Sequence, residues 1–335
     1  QRIHFHHYAG VSDWVLSLPG ELGLPYDVTV HDFVSVCPQF HFQEPSGRYC
    51  GRPPETDCNS CIAERPNHLG LDISAWRSLF SSHFANAERV ICPTRYVARI
   101  ICEYFPTVSP EVLAHPAPRY GMPTSYLEQT RYRLKVAIVG GLSPIKGVDL
   151  VEAVIRQAES RELPLDFVVI GFTTRALYAG CRAAVTGPYS RAALPHIIVR
   201  ERPDCFLFLP QIPETFSYTL SACLATGLPI IARSLGAFEE RLENIGRAHL
   251  LPADADAQAT LDHIMSQQPA YATMISANAR TDTGDTAEDA YLAHYFAPLS
   301  LSGQADLDSL AVTLSEMDKA DAPRGVPAPP IEELL

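Results

Sequence analysis

The chain alternates between short, wholly apolar runs and longer stretches in which apolar residues recur every three or four positions. Runs such as "KVAIV", "DFVVI" and "LPIIA" lack in–out alternation, as expected for parallel strands covered on both faces. In the first part the pattern predicts strands at Ile3–His6, Val28–His31, Arg89–Cys92 and Val112–His115. Helices are predicted between them at Ser12–Leu22, Asp72–Asn86 and Tyr96–Tyr104. Thr94 can cap the last of these helices, and Trp76, Phe80 and Phe84 recur at helical spacing as core residues. In the second part strands are predicted at Leu134–Val139, Phe167–Ile170, Phe206–Leu209 and Pro229–Ala232. The helices there are Val148–Ala158, Ser190–Val199 and Phe216–Ala225. Two such βαβ blocks imply an α/β protein with two Rossmann-like, doubly wound parallel-sheet domains facing a cleft.

The expected organisation is an amino-terminal domain over 1–117 with a Cys- and Pro-rich insert at 37–70, and a second domain over 133–285. A Pro/Gly-broken segment at 118–132 reads as the linker between them. Residues 286–298 are expected to form a crossover helix, and the Ser/Asp/Ala/Pro-rich stretch 299–335 a flexible tail. The chain opens at Gln1, without Met, directly in a strand-like stretch, so the first domain is expected to be incomplete at its start.

Composition narrows the function classes. Of 335 residues, 47% are hydrophobic and 19% charged, a globular balance. A net charge of −12 argues against a nucleic-acid partner. No apolar run reaches transmembrane length and no signal peptide is evident, so a cytoplasmic protein without a transmembrane segment is expected. Nine cysteines, an odd count in a mixed α/β chain, fit a reducing compartment.

The stretch "PETFSYTLSACLATGLPII" puts Glu214 directly before a helix start rich in hydroxyls. Free backbone N–H groups at such a start attract phosphate oxygens, with Ser217 and Thr219 in or near the first turn. A carboxylate and a phosphate site side by side would suit a ligand with a diphosphate at one end and hydroxyls at the other, a nucleotide sugar. The plainer alternative is that Glu214 only favours the helix dipole and the serines are caps. A second stretch, "VAIVGGLSPIKGVDL", is strand, Gly140-Gly141, loop, Lys146-Gly147, helix. Glycines let backbone amides approach a phosphate and the lysine adds charge, although neither the Walker nor the GxGxxG spacing is present.

Together, "VGGLSPIKGVDL" and "PETFSYTLSACLATGLPIIARSLGAFEERL" resemble the nucleotide-binding half of GT-B retaining glycosyltransferases of family 4. "TVHDFVSVCP" resembles the His-Asp strand end of that family's acceptor half, and the likeness covers roughly residues 1–298. Within the family it is similar to bacterial polysaccharide-assembly enzymes carrying PETxSYTLS and GAFxER. The resemblance implies transfer of a sugar, with retained configuration, from a nucleotide-diphosphate donor to a glycan or lipid-linked acceptor. It implies no cofactor for catalysis, and peripheral membrane contact is compatible with such an acceptor. Lys146 would neutralise the diphosphate, Glu214 would hold sugar hydroxyls, and His31 would face the sugar across the cleft. Amides around Ser217, Tyr218 and Thr219 would cradle the distal phosphate. Gly140 and Gly141 belong to the expected donor side, and Gly171, Phe172, Thr173, Tyr189 and Glu240 are further donor-side candidates near the cleft, with loop or capping roles as their alternative. Two departures stand out: the family's diphosphate arginine falls at Gly141, and its second glutamate at Ala222. Two alternatives stay open: a nucleotide-sugar epimerase of the same fold, and a non-catalytic sugar-nucleotide-binding module, which these two departures prompt.

Cys37, Cys50, Cys58 and Cys61 are spaced C-x12-C-x7-C-x2-C, a zinc-ribbon-like set of soft ligands in an insert with little core of its own. A structural zinc is one expectation; the other is four reduced, partly buried thiols, or disulfides if the cysteines are oxidised. Cys92, Cys102, Cys181, Cys205 and Cys223 lie in strand or helix patterns and read as core residues. In "HFHH", His4 and His6 share one strand face, and His6 or His7 is expected to line the cleft rather than bind metal.

Overall fold

The computed structural model describes residues 2–116, 133–178, 181–277 and 294. The segments expected as linker, crossover helix and tail lie outside the described residues, apart from His294. That residue meets Glu111 at 3.0 Å, and its carbonyl accepts from Arg89 at 3.2 Å.

The first sheet is parallel, ordered β1-β2-β3-β4: β1 (Ile3–Phe5), β2 (Tyr26–Thr29), β3 (Arg89–Cys92) and β4 (Glu111–Val112). Between the strands run α1 (Trp14–Leu22), α2 (Glu55–Glu64) and α3 (Ile73–Ala85), and α4 (Arg95–Tyr104). Trp76, Phe80 and Phe84 on α3 pack with Val28, Val90 and Ile101 in one core. Each helix start has a local cause. Asp72 accepts from Ala75 N at 2.8 Å at the start of α3, and Thr94 from Val97 N at 3.3 Å at the start of α4.

The second sheet has six parallel strands in the order β10-β9-β8-β5-β6-β7. These are β5 (Leu134–Leu142), β6 (Leu165–Thr173), β7 (Ala183–Val185), β8 (Cys205–Phe208), β9 (Ile230–Arg233) and β10 (Ala248–Leu251). The helices are α5 (Val148–Ser160), α6 (Leu194–Glu201), α7 (Tyr218–Leu224), α8 (Ala237–Leu242) and α9 (Ala257–Ala277). Side chains alternate between two separate cores. Val136, Ile138, Phe167, Val169 and Leu207 face the core that holds residues of α5 and α9. Ala137, Val139, Val168, Ile170 and Phe206 face the one that holds residues of α6, α7 and α8. Both faces are buried, which is why these strands show no polar alternation.

Chain order reverses between β5 and β8. From β5 the chain winds outward through β6 and β7, then crosses back to β8 on the other side. In open α/β sheets the crevice above the carboxyl ends of the strands at such a reversal is where ligands bind. The loops that leave β5 and β8 carry Lys146 and Glu214.

Several elements differ from the sequence expectation. β2 starts and ends two residues earlier than predicted and takes in Asp27, a buried carboxylate held by ion pairs to Arg2 and Arg89 at 2.8 and 2.9 Å. α2 lies inside the insert and buries none of its residues, so it left no apolar stripe to read. α7 starts at Tyr218 rather than Phe216, since Ser217 is held at φ 70° and caps the helix from outside. Cys92, Cys205 and Cys223 are buried as expected, but Cys102 is exposed on α4. Among the described residues no helix is long and apolar enough to cross a membrane.

Candidate functional site

Lys146 Nζ lies 2.8 Å from Glu214 Oε1, joining the β5 and β8 loops across the strand-order reversal. The lysine side chain is 32% exposed and the carboxylate 11%, so the pair sits at a surface mouth with the acid on its inner side. Backbone contacts fix both. Gln211 N donates to the carbonyl of Ile145, and Glu214 bridges in parallel fashion to Gly236, its carbonyl accepting from Ala237 N at 2.8 Å. Gly236 has φ 65°, and a Cβ there would fall 2.6 Å from the Glu214 backbone. Only glycine lets the two chains approach so closely.

The glycine-bearing strand ends form the adjoining wall. Gly140 (φ 111°) faces Thr219, whose methyl would lie 3.1 Å from an added Cβ. Gly171 (φ 142°) packs directly on the Gly140 carbonyl, and its own carbonyl accepts from Gly187 N at 2.8 Å. Thr173 ends β6 opposite Leu142, and Tyr189 packs against the core beneath α6 and α7. The Phe172 ring covers Gly141: a Cβ there would meet it at 2.8 Å. An aromatic ring thus fills the space above the position where the resembled family carries arginine. Ala222, at the second departure, is buried in the core.

Ser217, Tyr218 and Thr219 lie beside this wall, and Ser217 Oγ accepts from Leu220 N at 3.4 Å and meets Thr219 Oγ1 at 3.2 Å. α7 has only seven residues, so the dipole at its start is small, and Lys146 is the stronger source of positive charge. Beneath the turn lies Arg241, a residue that sequence reasoning missed. Its guanidinium lies 3.9 Å from the Phe216 ring centre and donates to the carbonyls of Phe216 and Ser217 at 2.6 and 2.8 Å. Burial pulls it down to about 10, against the field of Glu214 and Glu240.

The first domain faces this site with one residue from the end of each strand. His6 follows β1, His31 follows β2, Thr94 follows β3 and His115 follows β4. The rings of His4, His6, His31, His115 and Tyr218 stack in series, with centroids 4.4, 5.3, 5.0 and 5.4 Å apart. His6 Nδ1 and His31 Nε2 are hydrogen-bonded at 3.0 Å. Burial, reinforced by neighbouring imidazoles, pushes His4 and His115 down to about 4 and His31 to about 3, so the stack is neutral near pH 7. His7, in contrast, is held above its ordinary value by Asp32 at 2.8 Å.

The two domains meet at named hydrogen bonds. Thr215 Oγ1 donates to the His31 carbonyl at 2.6 Å, and Thr94 Oγ1 to the Thr215 carbonyl at 3.1 Å. His31 and the Glu214 loop are therefore joined. The Glu240 carboxylate accepts from Arg95 N and Tyr96 N at 3.0 and 2.7 Å, capping α4 of the first domain. Burial lowers His41, in the insert, below its ordinary value, with smaller contributions from the charges of Asp32, Lys146 and Glu214, and no sequence pattern marked it. A separate cavity of about 320 Å³ opens beside the insert, lined by Tyr8, Phe40, Arg65, Asn67, His68 and Trp76 among others. Neither Lys146 nor Glu214 lines it.

No protein-family model matches the chain, and no curated protein matches it. Solved structures do. Sucrose-phosphate synthase from Thermosynechococcus elongatus matches with a TM-score of 0.59 at 15% identity, over 83% of this chain and 67% of that one. TarM matches at 0.58 and 10% identity, over 90% of this chain and 55% of that one. Anabaena HepE in complex with UDP-glucose matches at 0.54 and 13% identity, over 83% and 72%. Likeness at such identities speaks to fold. With two parallel-sheet α/β domains, of four and six strands, the chain has the GT-B fold of two Rossmann-like domains.

Proposed function

We infer that this protein is a glycosyltransferase that moves a sugar from a nucleotide-diphosphate donor to a glycan or lipid-linked acceptor, with retention at the anomeric carbon. The observation that carries this reading is the Lys146–Glu214 pair at 2.8 Å above the β5/β8 reversal, tied through Thr215 to the strand end that bears His31. A cation and a carboxylate side by side can divide a nucleotide sugar between them. Lys146 would exchange its contact with Glu214 for diphosphate oxygens, and the released carboxylate would accept from sugar hydroxyls. As the bond from anomeric carbon to phosphate oxygen breaks, charge grows on the leaving diphosphate, where Lys146 stabilises it. The acceptor oxygen bonds to the same face of that carbon and gives its proton to the leaving phosphate oxygen, so no protein nucleophile takes part. Lys146 supplies the charge that a divalent ion would otherwise provide, and turnover should persist in EDTA. The acceptor would come from the first-domain side, past the stacked histidines and the insert. A cytoplasmic site, with peripheral membrane contact for a lipid-linked acceptor, fits this chemistry.

The solved neighbours include a protein bound to UDP-glucose, so UDP-sugars lead the donor panel. The test is donor turnover, followed by release of nucleoside diphosphate, with anomeric proton NMR of the product. Glu214→Gln should lower turnover by about 100-fold or more, the loss typical of removing a group that acts at the reacting centre. Unchanged turnover would remove Glu214 from the site. Donor binding without turnover against any acceptor would favour the binding-module reading, which Ala222 and the covered Gly141 motivate. An isomerised donor without an acceptor would favour the epimerase.

A further inference from the structure

The sugar-transfer reading leaves the cysteines of the insert and the cavity beside them unused. Cys37, Cys50, Cys58 and Cys61 are free thiols, and among the described residues no three His, Cys, Asp or Glu side chains are placed to hold a metal ion. The cavity carries more. Its wall begins at Tyr8, Ala9 and Gly10, just after β1. At this end of the sheet His6 and His31 stack toward His115 and Tyr218 of the second domain. The insert closes the other side through Phe40, Arg65 and His68. A volume of about 320 Å³ lies at the small end for ligand pockets, roughly 300–1,000 Å³, with room for about one or two sugar rings.

Charge in the cavity is one-sided. No Asp or Glu lines it, and Arg65 is its one permanently charged residue. Arg65 Nη2 donates to the Gln43 carbonyl and lies 3.2 Å from Cys61 Sγ, both neutral acceptors. Its Nε is buried without a hydrogen-bond partner, and among the described residues Arg65 forms no ion pair. The other half-buried arginines of the first domain, Arg2, Arg52, Arg77 and Arg89, each pair with a carboxylate. A guanidinium withdrawn from water with a hydrogen unmatched favours an anion, which it can hold through parallel N–H bonds.

The rest of the wall suits a sugar better than a bare ion. Tyr8, Phe40 and Trp76 supply aromatic edges for the C–H faces of a ring. Gln39 Nε2 donates to the Arg65 carbonyl at 2.8 Å, which leaves Oε1 for a hydroxyl. His68 Nε2 meets the Val11 carbonyl at 2.8 Å, which leaves Nδ1. The loop is also held against its own preference, with the bulky Phe40 at φ 59°. Phe33 N donates to the Phe40 carbonyl and Phe40 N to the Cys37 carbonyl, each at 3.0 Å. Strain of this kind persists only where surrounding contacts impose it, and it gathers at ligand sites.

We propose that this cavity is a recognition subsite for an acidic sugar of the glycan acceptor. Arg65 pairs with the carboxylate or phosphate of that sugar, and the aromatic edges pack against its ring. Its role as an acceptor subsite rests on the sugar-transfer reading, whereas its affinity for an acidic sugar does not.

Titration of the full chain without donor tests this by tryptophan fluorescence. The chain has two tryptophans, so a Trp14→Phe background, altered at an exposed position, leaves Trp76 as reporter in the cavity wall. Methyl glucuronide and glucose 6-phosphate are the acidic probes, with methyl glucoside and inorganic phosphate as neutral and bare-anion controls. At least one acidic sugar should give a saturable signal, and the tighter of the two identifies the acid. Both controls should bind about tenfold or more weakly, and Arg65→Gln should weaken the acidic sugar as much, the loss expected when a charged hydrogen bond is removed. Because Arg65 also holds the Gln43 carbonyl, Ala9→Phe is the second variant. It fills the cavity without touching these hydrogen bonds and should abolish the signal. No saturable binding of either acidic sugar, equal affinity for either control, or undiminished binding in either folded variant would each overturn the subsite. Sugar transfer without such binding would remove the subsite and leave the enzyme. Such binding without transfer from any donor would leave the acidic-sugar site and remove the enzyme.

Discussion

Two glycines with the same backbone angle separate torsional cost from steric cost. Gly147 and Gly187 both have φ 87°. An added Cβ at Gly187 would meet nothing within 4 Å, whereas at Gly147 it would fall 2.1 Å from the Leu209 carbonyl. That carbonyl belongs to backbone and cannot rotate away. Gly187→Ala should therefore cost only the left-handed penalty, about 1–2 kcal/mol. Gly147→Ala should cost distinctly more, and it should also shift the β5 and β8 loops apart at Lys146. Thermal unfolding of the two variants is the check, and equal losses would mean the loops are not packed as described. The glycine-rich strand end and Lys146 could be read directly from the sequence. The Phe172 ring over Gly141 could not, because it depends on the register of β5 against β6, which no local pattern encodes. Arg241 was hidden for a similar reason. A charged residue at the end of a short helix reads as solvated, and only the folded chain turns it under the Phe216 carbonyl.

At the scale of elements, the α4 start is capped twice, once from within its own domain and once from across the cleft. Thr94 satisfies Val97 N locally, while the Glu240 carboxylate takes Arg95 N and Tyr96 N. A carboxylate at a helix start is favoured by both hydrogen bonds and the dipole, for about 1 kcal/mol in such a cap. Because this cap belongs to α8, its loss should loosen the domains as well as the helix. Glu240→Ala should speed hydrogen exchange in the first turn of α4 and leave β5 and β6 protected. Unaltered exchange at Arg95 and Tyr96 would rule out the clamp. The boundaries of α4 and its Thr94 cap were legible because an amphipathic stripe and a hydroxyl mark them locally. The second cap, 145 residues away in the chain, has no local signature. α2 and β7 were missed for the opposite reason: they bury little, so the hydrophobic pattern on which sequence reading depends is absent from them.

For the whole molecule, βαβ alternation was enough to anticipate two parallel sheets, since strands buried on both faces have to be apolar throughout. What the pattern could not anticipate is that the domains meet through a stack of neutral imidazoles, and this has a consequence for pH. His83 and His115 are both buried, each pushed down to about 4, principally by burial. His4 and His31 are lowered in the same way, to about 4 and about 3. Unfolding restores each ring to its ordinary value near 6.5, so between that value and about 4 the unfolded chain binds more protons than the folded one. Stability then falls as pH drops through this window, by up to about 2 kcal/mol at pH 5 for each fully buried ring. His7 has the opposite sign. Raised by Asp32, it contributes most below 6.5 and loses that contribution as pH rises through its folded value. Four lowered rings outweigh one raised ring, and protonating the stack also sets like charges 4.4–5.3 Å apart. The melting temperature should therefore decline steeply from pH 6.5 to pH 4.5, and His115→Phe should flatten part of that slope. A melting temperature independent of pH across this range would mean that the rings are charged or solvent-exposed in the folded protein.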